Sequence, residues 1–341
     1  MRKPLIASAI GLSVLTTGLF TAPAHAWPSF AAGYDVVRDS AGKVVCANCH
    51  LGKKPTEVEF PSSVMPGEVF PLKIKVPYDT KVQEVGADGS PAKVQIGAYI
   101  ELPKGFRLAD EKEIPAELKN EYKEEFEKAP AVPLYADKPE RNNELIINQV
   151  EGDTIPEQEF VVPVKAPDPA KDKINFGKYT VWVGANRGRG QVYSNGTPSN
   201  NTVYNAPVAG TIAKVETGVT FTANLEYGKG TGDVPFEYTN GTRVTITGED
   251  SKPTVVDIPP GPKVLDTVKE GTKVTAGQPL TNDPNIGGFA AEERDIVLQD
   301  PQRVAWLLAF LGAAFVCQVL LVLKKKQVEK VQELEAEQQG I

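Results

Sequence analysis

Cys46-Ala47-Asn48-Cys49-His50 is the stretch that most restricts what this chain can fold into, because C-x-x-C-H is the spacing at which a polypeptide captures haem covalently. The two thiols add across the two vinyl groups of one porphyrin, and the adjoining imidazole is held over the iron. A large, flat group then belongs to the chain, and the core has to accommodate it. Other uses of the pentad are weaker. Zinc needs a second pair of ligands, and the remaining cysteine, Cys317, sits in an apolar run near the C-terminus. A thioredoxin-type redox pair expects a strand-helix-strand setting, which Gly42-Lys43-Val44-Val45 and Leu51-Gly52-Lys53-Lys54-Pro55 do not suggest.

With two of three cysteines committed to haem, no disulfide framework is left, so packing and the haem must supply stability. A chain of 341 residues has room for two domains and a membrane segment. Its net charge of -7 comes without basic runs or aromatic-basic interleaving, which argues against nucleic acid as a partner. The 28 prolines and 30 glycines, with few long helical patterns, predict a β-rich, turn-rich protein.

Arg2-Lys3, the apolar stretch Leu5 to Phe20, and Ala22-Pro23-Ala24-His25-Ala26 follow one another as the three regions of a secretory signal peptide, residues 1–26. Cleavage after Ala26 makes Trp27 the first residue of the mature chain. Export suits a c-type haem, which is attached on the far side of an energy-coupling membrane. It also removes His25, leaving His50 as the one mature imidazole. A second axial donor must then be something else. Met65 is the one methionine besides the initiator, fifteen residues past His50. The α-amine of Trp27 is a chemical rival, since a terminal amine titrates near 7.7–8.0, against about 10.4 for lysine. A vacant sixth position is the third possibility on chemistry alone.

Between about Val58 and Val183, runs of period two alternate with Pro and Gly. They are Val69 to Val76, Val94 to Ile100, Leu145 to Val150 and Tyr179 to Val183, and they predict an antiparallel sandwich. Pro115 to Lys128, rich in Glu, Lys and Leu, predicts a short solvated helix. Dense turn chemistry from Gly184 to Gly190 and from Ser194 to Asn201 places a domain boundary, with 27–194 before it and a smaller unit, 195–280, after it. Gly188-Arg189-Gly190 is too short to count as a phosphate loop. Gly210 to Val215, Arg243 to Thr247 and Thr254 to Ile258 are strands of the smaller unit, and Val268 to Leu280 resembles the glycine-punctuated hairpin of lipoyl and biotinyl carrier domains. It lacks their modified lysine, so small β-barrel-like packing is expected without a swinging arm.

Val304 to Leu323 is twenty residues without a charge, long enough to span a bilayer. Lys324-Lys325-Lys326 follow at once and Trp306 lies near the start, so the span, 301–323, leaves the body on the exported side and the tail, 324–341, on the cytoplasmic or stromal side. Cys317 inside it reads as a small apolar residue.

These features together resemble the cytochrome f family, over nearly the whole chain. The phrases that carry the resemblance are Trp27-Pro28-Ser29-Phe30-Ala31, the pentad with Leu51, Val183 to Gln191, and Asn285-Ile286-Gly287-Gly288-Phe289 before Ile296 to Pro301. The resemblance implies an all-β fold. The large domain would be an immunoglobulin- or fibronectin-like sandwich with a small lipoyl-like domain inserted, and 281–300 would return to it as a strand. It implies one covalent haem c on Cys46 and Cys49, with iron held axially by His50 and by the main-chain α-amine of Trp27. Trp27 stands where the family usually has Tyr, a change to which a main-chain ligand is indifferent. Pro28 and Phe30 match positions that shield the haem. The implied role is photosynthetic electron transport in the thylakoid membrane, within the cytochrome b6f complex. Its partners there are cytochrome b6, the Rieske iron-sulfur protein, subunit IV and small subunits, with plastocyanin or cytochrome c6 as the soluble acceptor. Plant members steer plastocyanin with a basic patch. Here residues 196–280 carry 7 Lys plus Arg against 9 Asp plus Glu, a net of -2, so weak or opposite steering is expected. A cytochrome c1 would share the anchor but show helical patterning and a distant Met ligand, and an anchored haem sensor would keep the sixth position labile.

Overall fold

The structure, a computed structural model, describes residues 28–36, 38, 44–81, 83–152, 155–284, 287–338 and 340. The expected signal peptide, Trp27, and Asn285 and Ile286 lie outside the described residues.

Val69–Pro77 alternates strictly between buried and half-buried positions. The pleat sends Phe70, Leu72, Ile74 and Val76 to one face. The strand pairs antiparallel along its length with Glu157–Lys165, so Phe70, Leu72 and Ile74 stand opposite Val164, Val162 and Phe160. Glu57–Glu59 and Arg107–Leu108 complete this four-stranded sheet. Facing it is a six-stranded sheet in the order Ser63–Val64, Gly288–Leu298, Gly177–Arg187, Gln95–Glu101, Glu144–Glu151, Ala131–Pro133. From it Ile96, Ala98, Ile100, Val181, Val183, Leu145, Ile147 and Ile296 close the core. Burying each such large aliphatic side chain stabilises the fold by about 1.5–3 kcal/mol. The fold is the all-β sandwich expected.

Gln95–Glu101 differs from Val69–Pro77 in being buried at five consecutive positions. Both faces of its sheet are therefore covered. On the second face Tyr99 and Ile146 stand opposite one another and pack with Phe289, Val44, Val45 and Ala31. The segment carrying the Cys-His pentad is what covers this outer face.

A third sheet joins Pro253–Ile258, Val234–Gly248, Gly210–Leu225 and Lys273–Val274. Its own core holds Ile212, Val244, Ile246, Ile258, Val274 and Leu280. The two long strands form a hairpin whose far end, Leu225 and Tyr238, packs with Ala87 and Tyr193. One hairpin thus joins two clusters. Gly288–Leu298 then pairs with Gly177–Arg187 over eleven residues, returning the chain to the sandwich.

Two short helices, Ala116–Glu121 and Lys123–Lys128, occupy the predicted helical stretch, broken at Tyr122, which is buried beneath Lys73. The last helix, Pro301–Gln338, opens with Asp300 capping the Gln302 amide at 2.8 Å and with Pro at its first position. Its 38 residues extend roughly 57 Å. Trp306, Leu308, Phe310 and Phe315 are all exposed on it. It is long and apolar enough to cross a membrane.

Candidate haem centre

Val44 and Val45 anchor the pentad by packing against the outer face of the six-stranded sheet. The chain then turns through a 3-10 helix, Val45–Asn48, closed by Cys49 and His50 amides that both donate to the Cys46 carbonyl, at 3.2 and 2.9 Å. That tight turn puts Cys46, Cys49 and His50 on the wall of one cleft. Phe30, Ala31, Tyr34, Asn186 and Tyr227 complete the wall.

The cleft is drawn from four parts of the chain. Pro28–Gly33 forms a short 3-10 helix that sets Phe30 and Ala31 beside the pentad. Tyr227 comes from the loop after Gly210–Leu225, and Phe30 lies 3.3 Å from where a Cβ on Gly228 would stand. Asn186 is the last residue but one of the Gly177–Arg187 strand, its Nδ2 3.2 Å from Nε2 of His50. Just beyond, Gly190 passes so close to Cys49 that a Cβ there would stand 3.2 Å from its carbonyl oxygen. Gln191 donates its amide to the Cys49 carbonyl at 2.7 Å and accepts from the Leu51 amide at 2.6 Å. Gly190 and Gln191 are therefore what the pentad packs against.

The electrostatics suit a metal-binding imidazole. Burial, aided by the positive charge of Arg187, pulls the His50 pKa down to about 4, so the ring is neutral and has a lone pair to give. Burial pushes the Cys46 thiol up to about 12 and also raises Cys49. Both cysteines are free and half-buried. The His50 Nδ1 is buried without a hydrogen-bond partner. Two free thiols, a neutral imidazole and an aromatic-walled cleft fit a covalently held haem.

Of the residues singled out in the sequence, Cys46, Cys49, His50 and Phe30 meet in this cleft. Pro28 begins the helix that carries Phe30, and Trp27 lies outside the described residues. Met65 is 40% exposed and does not line the cleft, and Cys317 is on the last helix.

Sequence reasoning missed the buried polar seam beneath. Arg189 donates to Asn200 Oδ1 and, at 3.2 Å, to the Tyr193 hydroxyl. Asn200 donates to the Gly86 and Pro260 carbonyls at 2.7 and 2.8 Å, and Asn201 to the Arg189 carbonyl at 2.7 Å. Glu84, 1% exposed, accepts from the Arg189 amide at 3.4 Å. Burial pushes its pKa up to about 7 against the pull of Arg189. The density of Asn, Ser and Arg from 186 to 201 was the available signal, and it reads equally as surface turn.

Residues 27–188 match the family model of apocytochrome F, N-terminal, and residues 200–338 that of apocytochrome F, C-terminal. Cytochrome f of Gloeobacter violaceus is 69% identical over 346 residues, covering 100% of both chains. Cytochrome f of Mastigocladus laminosus is 41% identical, covering 98% of this chain and 96% of its own. That of Nostoc sp. is 46% identical over 87% of this chain and 82% of its own. With both family models and full-length relatives in agreement, the chain belongs to the cytochrome f family, the c-type cytochromes of the b6f complex.

Proposed function

We propose that the chain is a membrane-anchored one-electron carrier, taking an electron from the Rieske iron-sulfur protein and passing it to plastocyanin or cytochrome c6. The observation that carries this reading is the convergence of Cys46, Cys49 and a neutral His50 in one aromatic-walled cleft, on a chain ending in an exposed apolar helix. Haem c, when bound, supplies the one-electron couple of its iron.

The chain's own residues do the rest. Cys46 and Cys49, set by the 3-10 turn, would hold the ring through thioethers. His50 would give its imidazole to the iron. The α-amine of Trp27, freed by removal of residues 1–26, would be the second donor, since a terminal amine with a pKa near 7.7–8.0 loses its proton close to neutral pH. Pro28 and Phe30 shield the ring from water, which keeps the reorganisation accompanying electron transfer small. Nothing in this role needs a bound substrate or a proton-transfer catalyst, so the chain is an electron-transfer subunit of a plastoquinol-plastocyanin oxidoreductase. Residues 27–194 and 281–300 make the haem-bearing domain and 195–280 the small one. The span 301–323 fixes the body in the lumen of the thylakoid, with 324–341 on the cytoplasmic or stromal side, beside cytochrome b6, subunit IV and the small subunits.

N-terminal sequencing, intact mass and the near-infrared and electron-spin spectra of the oxidised protein test this reading. The expected result is a chain starting at Trp27, one covalent haem, and low-spin His/amine ligation that is lost when the terminus is extended by one residue. His/Met ligation or a five-coordinate high-spin iron would overturn the assignment of the amine.

A further inference from the structure

Arg187 closes the Gly177–Arg187 strand, next to the Asn186 whose amide touches His50. It heads the largest fully buried side chains, at 1% exposure. One nitrogen, Nη2, donates to the Pro55 carbonyl at 2.7 Å. Nε and Nη1 have no hydrogen-bond partner, and among the described residues no carboxylate pairs with it. Burial alone moves its pKa, down to about 10, so the guanidinium stays charged at neutral pH.

A buried cation without a counter-ion is costly. Such a group persists where the site makes use of its field, and strongly perturbed charges gather at functional centres for that reason. Gaining an electron lowers the charge of an iron centre by one. A fixed positive charge nearby, in a dry interior where screening is weak, therefore stabilises the reduced form more than the oxidised one.

We propose that Arg187 is a positioning residue of the centre, a fixed positive charge beside Asn186, the partner of His50, that raises the reduction potential above what the iron's ligands alone would give. The inference rests on His50 holding the iron, and that reading fails separately, by loss of the low-spin spectrum in the unaltered chain. The side chain works through the imbalance seen around it: the bond to the Pro55 carbonyl orients the guanidinium, and among the described residues no carboxylate side chain pairs with it.

The test is a mediated redox titration of the full chain with its covalent haem, at pH 8, comparing Arg187→Gln and Arg187→Lys. At the potential where the unaltered protein is half reduced, Arg187→Gln should show a reduced-to-oxidised ratio about tenfold lower, with its low-spin spectrum kept. Arg187→Lys, which keeps the charge, should stay near the unaltered value. An unchanged ratio in Arg187→Gln overturns the proposal, and so does an equal fall in both variants, which would make shape the cause. Should neither variant accumulate with haem, Glu84→Gln decides. It removes a buried negative charge held by the Arg189 amide, two residues past Arg187, and the ratio should rise. An unchanged ratio there would show that buried charges at this strand end are not felt at the iron, and the proposal would fall.

Discussion

The sandwich core and the seam under the cleft share the Gly177–Arg187 strand, yet they are stabilised in opposite ways. Val181, Val183 and Ala185 enter a cluster made of apolar side chains. The next two residues of the same strand are Asn186 and Arg187, and the chain beyond adds Arg189, Gln191, Asn200 and Asn201, all buried. In the first region any side chain of suitable volume contributes through area removed from water. In the second, the bonded polar atoms of Arg189, Gln191 and Asn200 depend on particular partners, because a buried donor or acceptor left alone costs about 1–3 kcal/mol. The fold thus keeps a tolerant half and an intolerant half, with the pentad on the intolerant one.

The largest expected effect belongs to Asn200. Its amide nitrogen serves the carbonyls of Gly86, Ala87 and Pro260, and its oxygen accepts from Arg189. Asn200→Leu, close in volume, should cost about 5 kcal/mol, because several buried groups lose their partner at once. Phe160→Ala, fully buried opposite Ile74, should cost about 4 kcal/mol through lost burial and a cavity. Denaturant unfolding of the two variants ranks them. If the leucine variant proves the milder, the seam is no more demanding than the core and the contrast breaks.

The same contrast explains what could be read in advance. Val69–Pro77 was legible because period-two burial leaves a period-two sequence, whereas Gln95–Glu101 and Glu144–Glu151, buried at five and four consecutive positions, were legible as short apolar runs bounded by turn residues. Glu157–Lys165 was not, because Pro163 interrupts it. In the fold Pro163 stands opposite Pro71, a pair that asks neither residue for an N–H, so a central strand carries proline at no cost in ladder bonds. The strands Gly210–Leu225 and Val234–Gly248 run far beyond the short stretches their sequence suggested. Their pairing slips at Ile212/Lys214, Thr217/Val219 and Val219/Phe221, and Gly218 sits at a positive φ of 74°. Such bulges read as turns when only sequence is in hand. The pentad was legible from spacing, whereas Asn186, Arg187 and Gln191 had no spacing of their own and were visible only within the family phrase.

Glu84 sharpens the contrast through pH. Its carboxyl is lifted from an ordinary 4.5 to about 7 by burial, so the folded state holds that proton more tightly than the unfolded one. The stabilisation is fully present below pH 4.5 and is lost as pH rises through about 7. The loss amounts to roughly 3 kcal/mol. Glu84→Gln should remove this slope, and the difference between the two unfolding midpoints from pH 5 to pH 8 measures it. Parallel pH profiles for the two proteins would mean that the carboxyl titrates normally and that the seam is wetter than its burial suggests.

The smallest effect belongs to the tolerant half. Ile74 is fully buried, and its neighbours across the sheet are Val58 and Phe160. Ile74→Val removes one methylene and leaves no polar group alone, so the cost should be about 1 kcal/mol, the transfer term with a small cavity. The strand itself should be unaffected, since both residues are β-branched and suit a pleated surface. The decisive comparison is with the redox titration: Ile74→Val should leave the midpoint potential where it was, because no charge or dipole near His50 has moved. A shift as large as that expected for Arg187→Gln would show that packing in the sandwich reaches the cleft, and the two halves would have to be treated as one.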